Sequence, residues 1–488
     1  MGKLKTLASD TVVYGASTIL SRLIGWLMMP LYVRVVSQTV YGTFSYVYSW
    51  IAIFLVVVTL GFETGYFRFA TDDNRDRLLG TLSRAVGLLG LLGVLACAFF
   101  PSACCAALDF DFGPQSGVYL VIMAGIVLLD SYNAIFFAEL RYLRKSLVYA
   151  LLRLGQVLIN VLLTVVFLFW LRHCGGFWSG VDDITYMMLA NLAGSLFSTV
   201  YFLPRIASVI SQNDKALLRK ALIYSLPLVG MGFFGQANTN IEKILIKHLD
   251  PSADPLASLG VYAACYKIGV LMSIFTQSFR MAFEPFFFKE NKDKSKTDIY
   301  GPALKWFVYF GLLIFAAVML AMPLLRLFLP QSYYDGTAII PWILIGQLFF
   351  GVYYSMSLWY KLTDRTYWGI VMSAIGLAVN TGLNFVLIPR MGYMGAAIST
   401  FVGYAVMMLT SYFLGQRYFP VAYPVGRLLA VGVAVVGIVS LTVWLTKAFA
   451  PGLWVLTGLV AFAVILALMA RVEQISPRFI INKILPRK

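Results

Sequence analysis

Charged side chains stand deep inside stretches of this sequence that are otherwise apolar. They are five cations and three acids, namely Arg22, Arg153, Lys243, Lys267, Arg280, Asp130, Glu242 and Glu284. A charge within a bilayer is costly, so such groups usually face a cavity or a partner. The excess of cations favours an interior that binds anions. Arginine is suited to a pyrophosphate because it can form two parallel hydrogen bonds. We therefore interpret the five cations as candidates for a substrate-binding cavity.

Internal ion pairs offer a simpler interpretation of several of these charges. Arg280 and Glu284 are four residues apart, so they share one helical face and could neutralise each other. Glu242 could pair with Lys243 or Lys267 in the same way. The sequence leaves both interpretations open.

Asp130 is a lone acid in the middle of the fourth apolar stretch. It is the leading candidate for a site that carries a coupling ion, H⁺ or Na⁺, with Glu242 and Glu284 as further candidates. A salt bridge between Asp130 and Arg22 is the alternative. Arg153 could instead extend its side chain to the membrane surface.

Three uncharged polar residues mark the middle of the seventh apolar stretch, and we expect them to line the same cavity. They are Gln236, Asn238 and Asn240. The five cysteines form no Cys-x-x-Cys pattern and both histidines fall in predicted loops, so we expect no metal site and no cofactor.

The elements that position these residues follow from composition and length. The chain has 488 residues, 60% hydrophobic and 12% charged, whereas a soluble domain has roughly 25% charged residues. This low charge content excludes an ordinary soluble enzyme and a disordered chain.

A membrane span needs about 20 mostly apolar residues. We predict fourteen spans: Thr11–Val36, Tyr41–Phe62, Leu79–Phe100, Val118–Leu140, Leu147–Trp170, Thr185–Leu203, Ala221–Ile246, Leu256–Phe288, Ala303–Leu325, Ala338–Leu358, Tyr367–Ile388, Gly395–Leu414, Val425–Thr446 and Leu453–Ala470.

The distribution of basic residues predicts the orientation. With the N-terminus in the cytoplasm, the inside loops carry about four times as many Lys and Arg residues as the outside loops. An even number of spans then places both termini in the cytoplasm. The basic residues of the cytoplasmic loops also account for the net charge of +16, so we expect no nucleic-acid partner.

Two short matches indicate an internal repeat. Tyr41 and Tyr262 are 221 residues apart in similar Val-Tyr-Gly and Val-Tyr-Ala segments, and Asn160 and Asn380 are 220 apart. Parallel repeats around a central site are a transporter architecture. We predict an all-α polytopic membrane protein with two parallel six-helix bundles, residues 1–210 and 211–420, around a central cavity. Residues 421–488 would form two accessory helices and a basic cytoplasmic tail.

Two groups of motifs carry a family resemblance. The first comprises Ser21-Arg22-Leu-Ile-Gly25, Met-Met-Pro30-Leu-Tyr, Val-Tyr41-Gly42-Thr-Phe-Ser, Leu60-Gly61-Phe and Arg68-Phe69. The second comprises Asn380-Thr-Gly-Leu-Asn384-Phe-Val-Leu-Ile-Pro389 and Met391-Gly392-Tyr-Met-Gly395-Ala-Ala. With its length and fourteen spans, the chain resembles the polysaccharide transporter family. These are the Wzx-type O-antigen and capsule flippases of the multidrug/oligosaccharidyl-lipid/polysaccharide exporter superfamily.

The resemblance implies alternating access in a bacterial inner membrane. The implied substrate is an undecaprenyl-pyrophosphate-linked oligosaccharide, which moves from the cytoplasmic to the outer leaflet during surface polysaccharide synthesis. It implies antiport with H⁺ or Na⁺ and a cationic cavity. The expected partners are membrane lipids, a polysaccharide polymerase and a chain-length regulator, and we expect a monomer.

Three other functions are alternatives. A lipid II flippase of peptidoglycan synthesis would share the fold, but the segments at Pro30 and Tyr41-Gly42 favour the polysaccharide branch. A cation-coupled multidrug exporter typically has twelve spans and an acidic or apolar pocket. A membrane-embedded polymerase or ligase would carry a large outer loop, whereas the predicted outer loops are short. No Walker, Gly-x-Ser-x-Gly or His-Glu-x-x-His motif occurs, so we expect no enzyme activity.

Overall fold

The structure is a computed structural model that describes residues 2–173, 180–290, 300–357, 359–360, 365, 367–449 and 451–474. Of residues 2–12, 173, 282–290 and 451 it describes the backbone alone. The predicted ion-coupling candidate Glu284 is among these, so its side chain lies outside the described residues. The basic tail beyond residue 474 also lies outside them.

The described parts of the chain form helices joined by short connections, with no strand among them. In chain order the helices are α1 (Gly2–Leu27), α2 (Met29–Val35), α3 (Gln38–Thr59), α4 (Phe62–Phe69), α5 (Arg75–Phe99), α6 (Pro101–Leu108), α7 (Ser116–Tyr142), α8 (Ser146–Phe169), α9 (Asp183–Val209), α10 (Lys215–Leu249), α11 (Pro255–Glu290), α12 (Tyr300–Leu320), α13 (Met322–Arg326), α14 (Ile340–Met356), α15 (Tyr367–Met391), α16 (Tyr393–Tyr418), α17 (Val425–Phe449) and α18 (Trp454–Val472). Short 3₁₀ turns lie at Leu171–His173, Gln331–Tyr333, Asp335–Ile339 and Pro451–Leu453.

Fourteen of these segments are long and apolar enough to cross a membrane, and each overlaps one predicted span. The predicted all-α polytopic fold is confirmed. The reason is that a spanning segment must satisfy its backbone hydrogen bonds internally, and a helix does so.

Three of the predicted spans are broken into consecutive helices, the ninth dividing at Ala321 between α12 and α13. The first span divides at Met28, where Pro30 occupies the opening turn of α2 and needs no backbone donor there. The second divides at Leu60 and Gly61, which have φ angles of 53° and 64°. This left-handed conformation ends α3, and a glycine adopts it at little cost.

The helices form two compact units. The first unit comprises residues 1–267 and 367–403. Its most buried helix is α7, which packs against α3, α5 and α9, while α10 packs against α3, α4 and α15. The predicted division into residues 1–210, 211–420 and 421–488 concerns a sequence repeat. It stays a prediction, because compact packing does not test a repeat.

The second unit comprises residues 268–366 and 404–488. Within it α12 packs against α14, α17 and α18, so both accessory helices contact the ninth span. Their outer faces expose large apolar side chains such as Val433 and Leu459, as expected of helices that face lipid.

A carboxylate at the end of α18 joins three helices of this unit. Glu473 forms an ion pair with Lys305 of α12, accepts a hydrogen bond of 2.9 Å from the Tyr309 hydroxyl, and lies 3.5 Å from the Arg427 guanidinium of α17. Its side chain is only 8% exposed. Burial raises the pKa of Glu473, but the hydrogen bonds from Lys305 and Tyr309 outweigh it and hold the pKa below its usual range.

We predict that Glu473→Ala lowers the free energy of unfolding by about 1.5–3 kcal/mol, because it removes hydrogen bonds to a charged group and leaves Lys305 unpaired. The measurement is thermal or denaturant unfolding of the purified protein in detergent. Glu63→Ala is the matched control: its ion pair with Arg141 is more exposed, at 41% and 33% of the two side chains, so the cost should stay below about 1 kcal/mol.

This stabilisation should depend on pH in a defined direction. A carboxyl whose pKa is lowered by folding stabilises the folded state above its unfolded pKa, and the effect is lost as the pH falls through the folded pKa. The difference between wild type and Glu473→Ala should therefore shrink in acid. An equal difference at neutral pH and in strong acid would contradict this assignment.

Candidate functional site

The middle of α10 carries its polar residues on two faces. Asn238 and Glu242 are four residues apart and share one face, which is buried: they are 2% and 0% exposed. Gln236, Asn240 and Lys243 share another face at spacings of four and three. The two faces have different neighbours and different chemistry.

The face with Lys243 is a ladder of hydrogen bonds. The Asn240 side-chain amide donates to the Gln236 carbonyl oxygen at 3.0 Å, and the Lys243 ammonium donates to the Asn240 Oδ1 at 2.9 Å. The Lys243 Nζ also lies 5.1 Å from the centre of the Tyr266 ring of α11. These contacts hold the ammonium of Lys243 in a defined place on the helix.

A second ammonium stands close to this one. Lys267 follows Tyr266 on α11, both lysines are half-buried, and the charge of Lys243 acts on Lys267. Two like charges in a poorly solvated environment repel each other, and an anion between them would relieve the repulsion. The structure thus brings together two of the five predicted cavity cations.

Glu242 lies on the buried face of α10, next to Lys243 in the sequence but in different surroundings. Its Oε1 is 3.5 Å from the Tyr262 hydroxyl of α11, and its Oε2 has no hydrogen-bond partner among the residues described. The charges of Glu242 and Lys243 attract each other, yet the Lys243 ammonium bonds to Asn240. Glu242 is therefore a carboxylate with one oxygen left unsatisfied.

Asparagine amides continue the buried face of α10 toward α15. The Asn380 Nδ2 donates to the backbone oxygen and to the Oδ1 of Asn238, at 3.1 and 3.2 Å. The Asn384 Nδ2 donates to the Asn380 Oδ1 at 3.0 Å, and the Asn384 Oδ1 is buried without a partner among the described atoms. This chain of amides fixes α15 against the polar segment of α10.

Asp130 belongs to a separate cluster formed by α7, α8 and α9. Its Oδ1 accepts hydrogen bonds from the Ser195 hydroxyl at 2.6 Å and from the Gln156 amide at 3.2 Å. Arg153 of α8 is the cation whose charge acts on it.

The remaining predicted cations lie elsewhere. The Arg153 guanidinium stacks 4.1 Å from the centre of the Phe137 ring, so it has a protein neighbour on its flat face. Arg22 is exposed on α1. Arg280, in the second unit, lies 5.0 Å from the centre of the Tyr354 ring. Its predicted pairing with Glu284 falls outside the described side chains.

Sequence reasoning missed several neighbours of the site, including Tyr262, Tyr266, Asn384, Gln156 and Ser195. Asn380 and Asn384 offered a signal, since two amides four residues apart share a face of an apolar helix. The tyrosines and Ser195 offered none, because only the packing of distant helices brings them to Glu242, Lys243 and Asp130.

The ends of α3 and α11 that are predicted to face outside touch backbone to backbone. A Cβ added to Gly42 would overlap the Leu256 carbonyl oxygen, and one added to Gly260 would overlap the Gln38 carbonyl oxygen. The Thr39 hydroxyl donates to an Asp254 carboxylate oxygen at 2.5 Å across the same contact. We call this contact of residues 38–42 with 254–260 the outer seam.

A charged clasp lies at the same predicted end of the first unit. The Lys247 ammonium at the end of α10 bonds to the Asp109 carboxylate at 2.6 Å and lies over the rings of Tyr46 and Phe112. The hydrogen bond from Lys247 is the main cause of a lowered pKa for Asp109. The carboxylate therefore stays ionised in mildly acidic surroundings, and the clasp ties the loop before α7 to α10.

This architecture matches solved membrane transporters. A structure of the lipid II flippase MurJ in an inward closed conformation has a TM-score of 0.73 and 17% identity, covering 94% of this chain and 99% of that one. An inward-facing multidrug resistance MATE transporter of the MOP superfamily has a TM-score of 0.65 and 11% identity, covering 81% and 94%. The fold is that of the polytopic transporters of this superfamily.

Sequence relatives narrow the class. The family model described as polysaccharide biosynthesis protein matches residues 7–290, so the chain belongs to that family. Lsg locus putative protein 1 of Haemophilus influenzae is 24% identical over 317 residues, which cover 62% of this chain and 71% of that protein. Capsular polysaccharide biosynthesis protein CapF of Staphylococcus aureus is 23% identical over 214 residues, covering 42% and 52%. The resemblance inferred from the sequence motifs is confirmed.

Proposed function

We propose that the protein is a flippase that moves an undecaprenyl-pyrophosphate-linked oligosaccharide from the cytoplasmic to the outer leaflet of a bacterial inner membrane. Its product would feed the synthesis of a surface polysaccharide, O-antigen or capsule, by a polymerase and a chain-length regulator. The observation that carries the proposal is the pair Lys243 and Lys267, two half-buried cations of which the first acts electrostatically on the second, in a chain that belongs to the polysaccharide biosynthesis protein family.

The lysine pair supports an anionic substrate on electrostatic grounds. Two ammonium groups that repel each other in a poorly solvated place are stabilised when a diphosphate binds between them. Lys243 is held by Asn240, so little side-chain entropy is lost on binding. Gln236 lies within two turns of Lys243 on the same face of α10. Its amide would serve the sugar hydroxyls next to the diphosphate.

The outer seam supplies the second part of the proposed cycle. With Gly42 and Gly260 in contact, the predicted outer ends of α3 and α11 are closed to a bulky headgroup. Translocation requires a second state in which this contact opens, and a substrate moves the equilibrium only by binding the two states unequally. We infer that the headgroup binds at the lysines from the cytoplasmic side and leaves once the seam opens.

Lipid II transport is the second candidate, because the fold is similar to that of the lipid II flippase MurJ over nearly the whole chain. The two candidates share the phosphate chemistry and differ in the sugar. The substrate that competes best for binding distinguishes the two candidates.

We predict that Lys243→Ala and Lys267→Ala each weaken binding of a polyprenyl-diphosphate-linked oligosaccharide about tenfold or more. Each removes a charge-assisted contact worth about 1.5–3 kcal/mol. Binding to the purified protein and flipping in proteoliposomes are the measurements, with lipid II as the competing substrate. Arg153→Ala should weaken substrate binding less, because the Arg153 guanidinium already stacks on Phe137.

The matched control is Lys220→Ala, an exposed lysine on the same helix near its predicted cytoplasmic end. It should leave binding and flipping unchanged. Wild-type affinity in both Lys243→Ala and Lys267→Ala would refute the site. Preferential flipping of lipid II would keep the site and replace the substrate.

Ion coupling rests on the buried carboxylates. The two side chains that donate hydrogen bonds to Asp130, Ser195 and Gln156, are neutral, so a bound H⁺ or Na⁺ would change its charge balance at little structural cost. Glu242, with one oxygen that has no partner among the described residues, is the alternative carrier. We propose that one of these two groups couples transport to an ion gradient.

We predict that Asp130→Asn retains flipping down a substrate gradient but no longer responds to an imposed H⁺ or Na⁺ gradient. The amide oxygen that the substitution introduces can still accept both hydrogen bonds, so folding should survive. Proteoliposomes with and without the gradient provide the measurement, and Asp72→Asn, at an exposed turn, is the control. Loss of coupling in Glu242→Gln alone would move the role to Glu242. Normal gradient dependence in both Asp130→Asn and Glu242→Gln would exclude a coupling role for both residues.

A further inference from the structure

A cavity lies far along the chain from the lysine site, within the second unit. It has a volume of about 390 Å³ and is enclosed by the ends of α12, α17 and α18 together with the segment around residues 326–341. Pockets that hold small ligands have volumes of about 300–1,000 Å³. The cavity is therefore large enough for the headgroup of a lipid.

Two cations and one acid line this cavity: Arg326, Lys447 and Asp335. The Arg326 Nη2 donates to the Thr337 hydroxyl at 2.8 Å, and the guanidinium lies 5.2 Å from the centre of the Tyr334 ring. Its Nε is buried and has no hydrogen-bond partner among the residues described. Arg326 is thus fixed in position with a donor still unused.

Lys447 is exposed at the end of α17 and forms no ion pair with any residue that the structure describes. With Arg326 and Asp335 it leaves the cavity with a net positive charge. A positive cavity lined by a guanidinium and an exposed ammonium favours a phosphate, which can accept hydrogen bonds from both.

Threonine hydroxyl groups also line the cavity. Thr442 donates its proton to the Ile438 carbonyl oxygen at 2.8 Å, and Thr457 can donate to the Leu453 carbonyl oxygen at 3.1 Å. The hydroxyls of Thr446 and Thr457 lie 3.0 Å apart and join α17 to α18. Because these protons are used within the protein, the oxygens are available as acceptors. They suit the hydroxyl groups of a glycerol or a sugar next to the phosphate.

The position of the cavity suits a lipid. Trp454 and Tyr334 line it, and aromatic residues of this kind concentrate at the level of lipid headgroups. Large apolar side chains surround it on the exposed faces of the accessory helices, among them Phe449 and Leu456 at 75% and 58% exposure. The charge distribution of the loops predicts that this end faces outside.

We infer that this cavity binds the phosphate-bearing headgroup of a lipid in the outer leaflet. Arg326 and Lys447 hold the phosphate, and the threonine oxygens accept hydrogen bonds from hydroxyl groups beside it. The acyl or prenyl chains lie against the exposed apolar faces of α17 and α18. The lipid is either a glycerophospholipid such as phosphatidylglycerol or a polyprenyl-diphosphate-linked sugar. The inference is independent of the lysine site.

The test is binding of phosphatidylglycerol to the purified full chain, measured by native mass spectrometry and by titration in detergent. Phosphatidylcholine, a polyprenyl-diphosphate-linked sugar and inorganic phosphate form the other arms. We expect Arg326→Gln and Lys447→Gln each to weaken binding of the preferred lipid about tenfold. Arg390→Gln, another exposed cation at a predicted outer helix end that does not line the cavity, should bind as wild type does.

The arms separate the sources of the phosphate. Preference for phosphatidylglycerol supports a membrane phospholipid as the ligand, and preference for the polyprenyl diphosphate supports the transported lipid. In either case, Lys447→Gln must weaken binding of the preferred lipid. If Arg326→Gln fails to fold, Lys447→Gln still decides, because its side chain is exposed and has no ion pair to lose among the described residues. Equal binding by wild type and Lys447→Gln would overturn the inference, as would binding of inorganic phosphate without either lipid.

Discussion

The absence of water from a bilayer is the constraint on which this structure depends. A backbone in that medium must satisfy its own hydrogen bonds, so every spanning segment is a helix. A charge in that medium needs a polar neighbour. Lys243 therefore bonds to Asn240, Asp130 accepts from Ser195 and Gln156, and Glu473 joins three helices. Each polar group of this kind fixes how its helix packs.

The same constraint explains what the sequence could predict. Fourteen apolar stretches predicted fourteen helices, because span length and composition are local properties. The break at Leu60 depends on a local left-handed turn and was not predicted. The pairing of Glu473 with Lys305 could not be predicted either, since 168 residues separate them and no periodic pattern connects them.

The sequence predicted the candidate site only in part, because composition is a local property and side-chain pairing is not. The deep charges were recognisable as unusual, and two of them, Lys243 and Lys267, are neighbours in the structure. Which acid serves which cation depends on helix packing. Arg153 of α8 acts electrostatically on Asp130 of α7, for example, which the sequence did not indicate. Residues next to Tyr41 and Tyr262 meet at the outer seam, and the sequence repeat that these two tyrosines suggest stays a prediction.

The central claim is that the outer seam must open for a headgroup held near Lys243 and Lys267 to leave. The most direct measurement is flipping in proteoliposomes by the variant Thr39→Cys, Asp254→Cys, made in a chain whose five native cysteines are replaced by serine. The side-chain oxygens at these positions are 2.5 Å apart, so an oxidant should join the cysteines. We predict that flipping stops on oxidation and returns on reduction, while Thr39→Cys alone is insensitive to the oxidant. Undiminished flipping by the fully cross-linked protein would contradict the account.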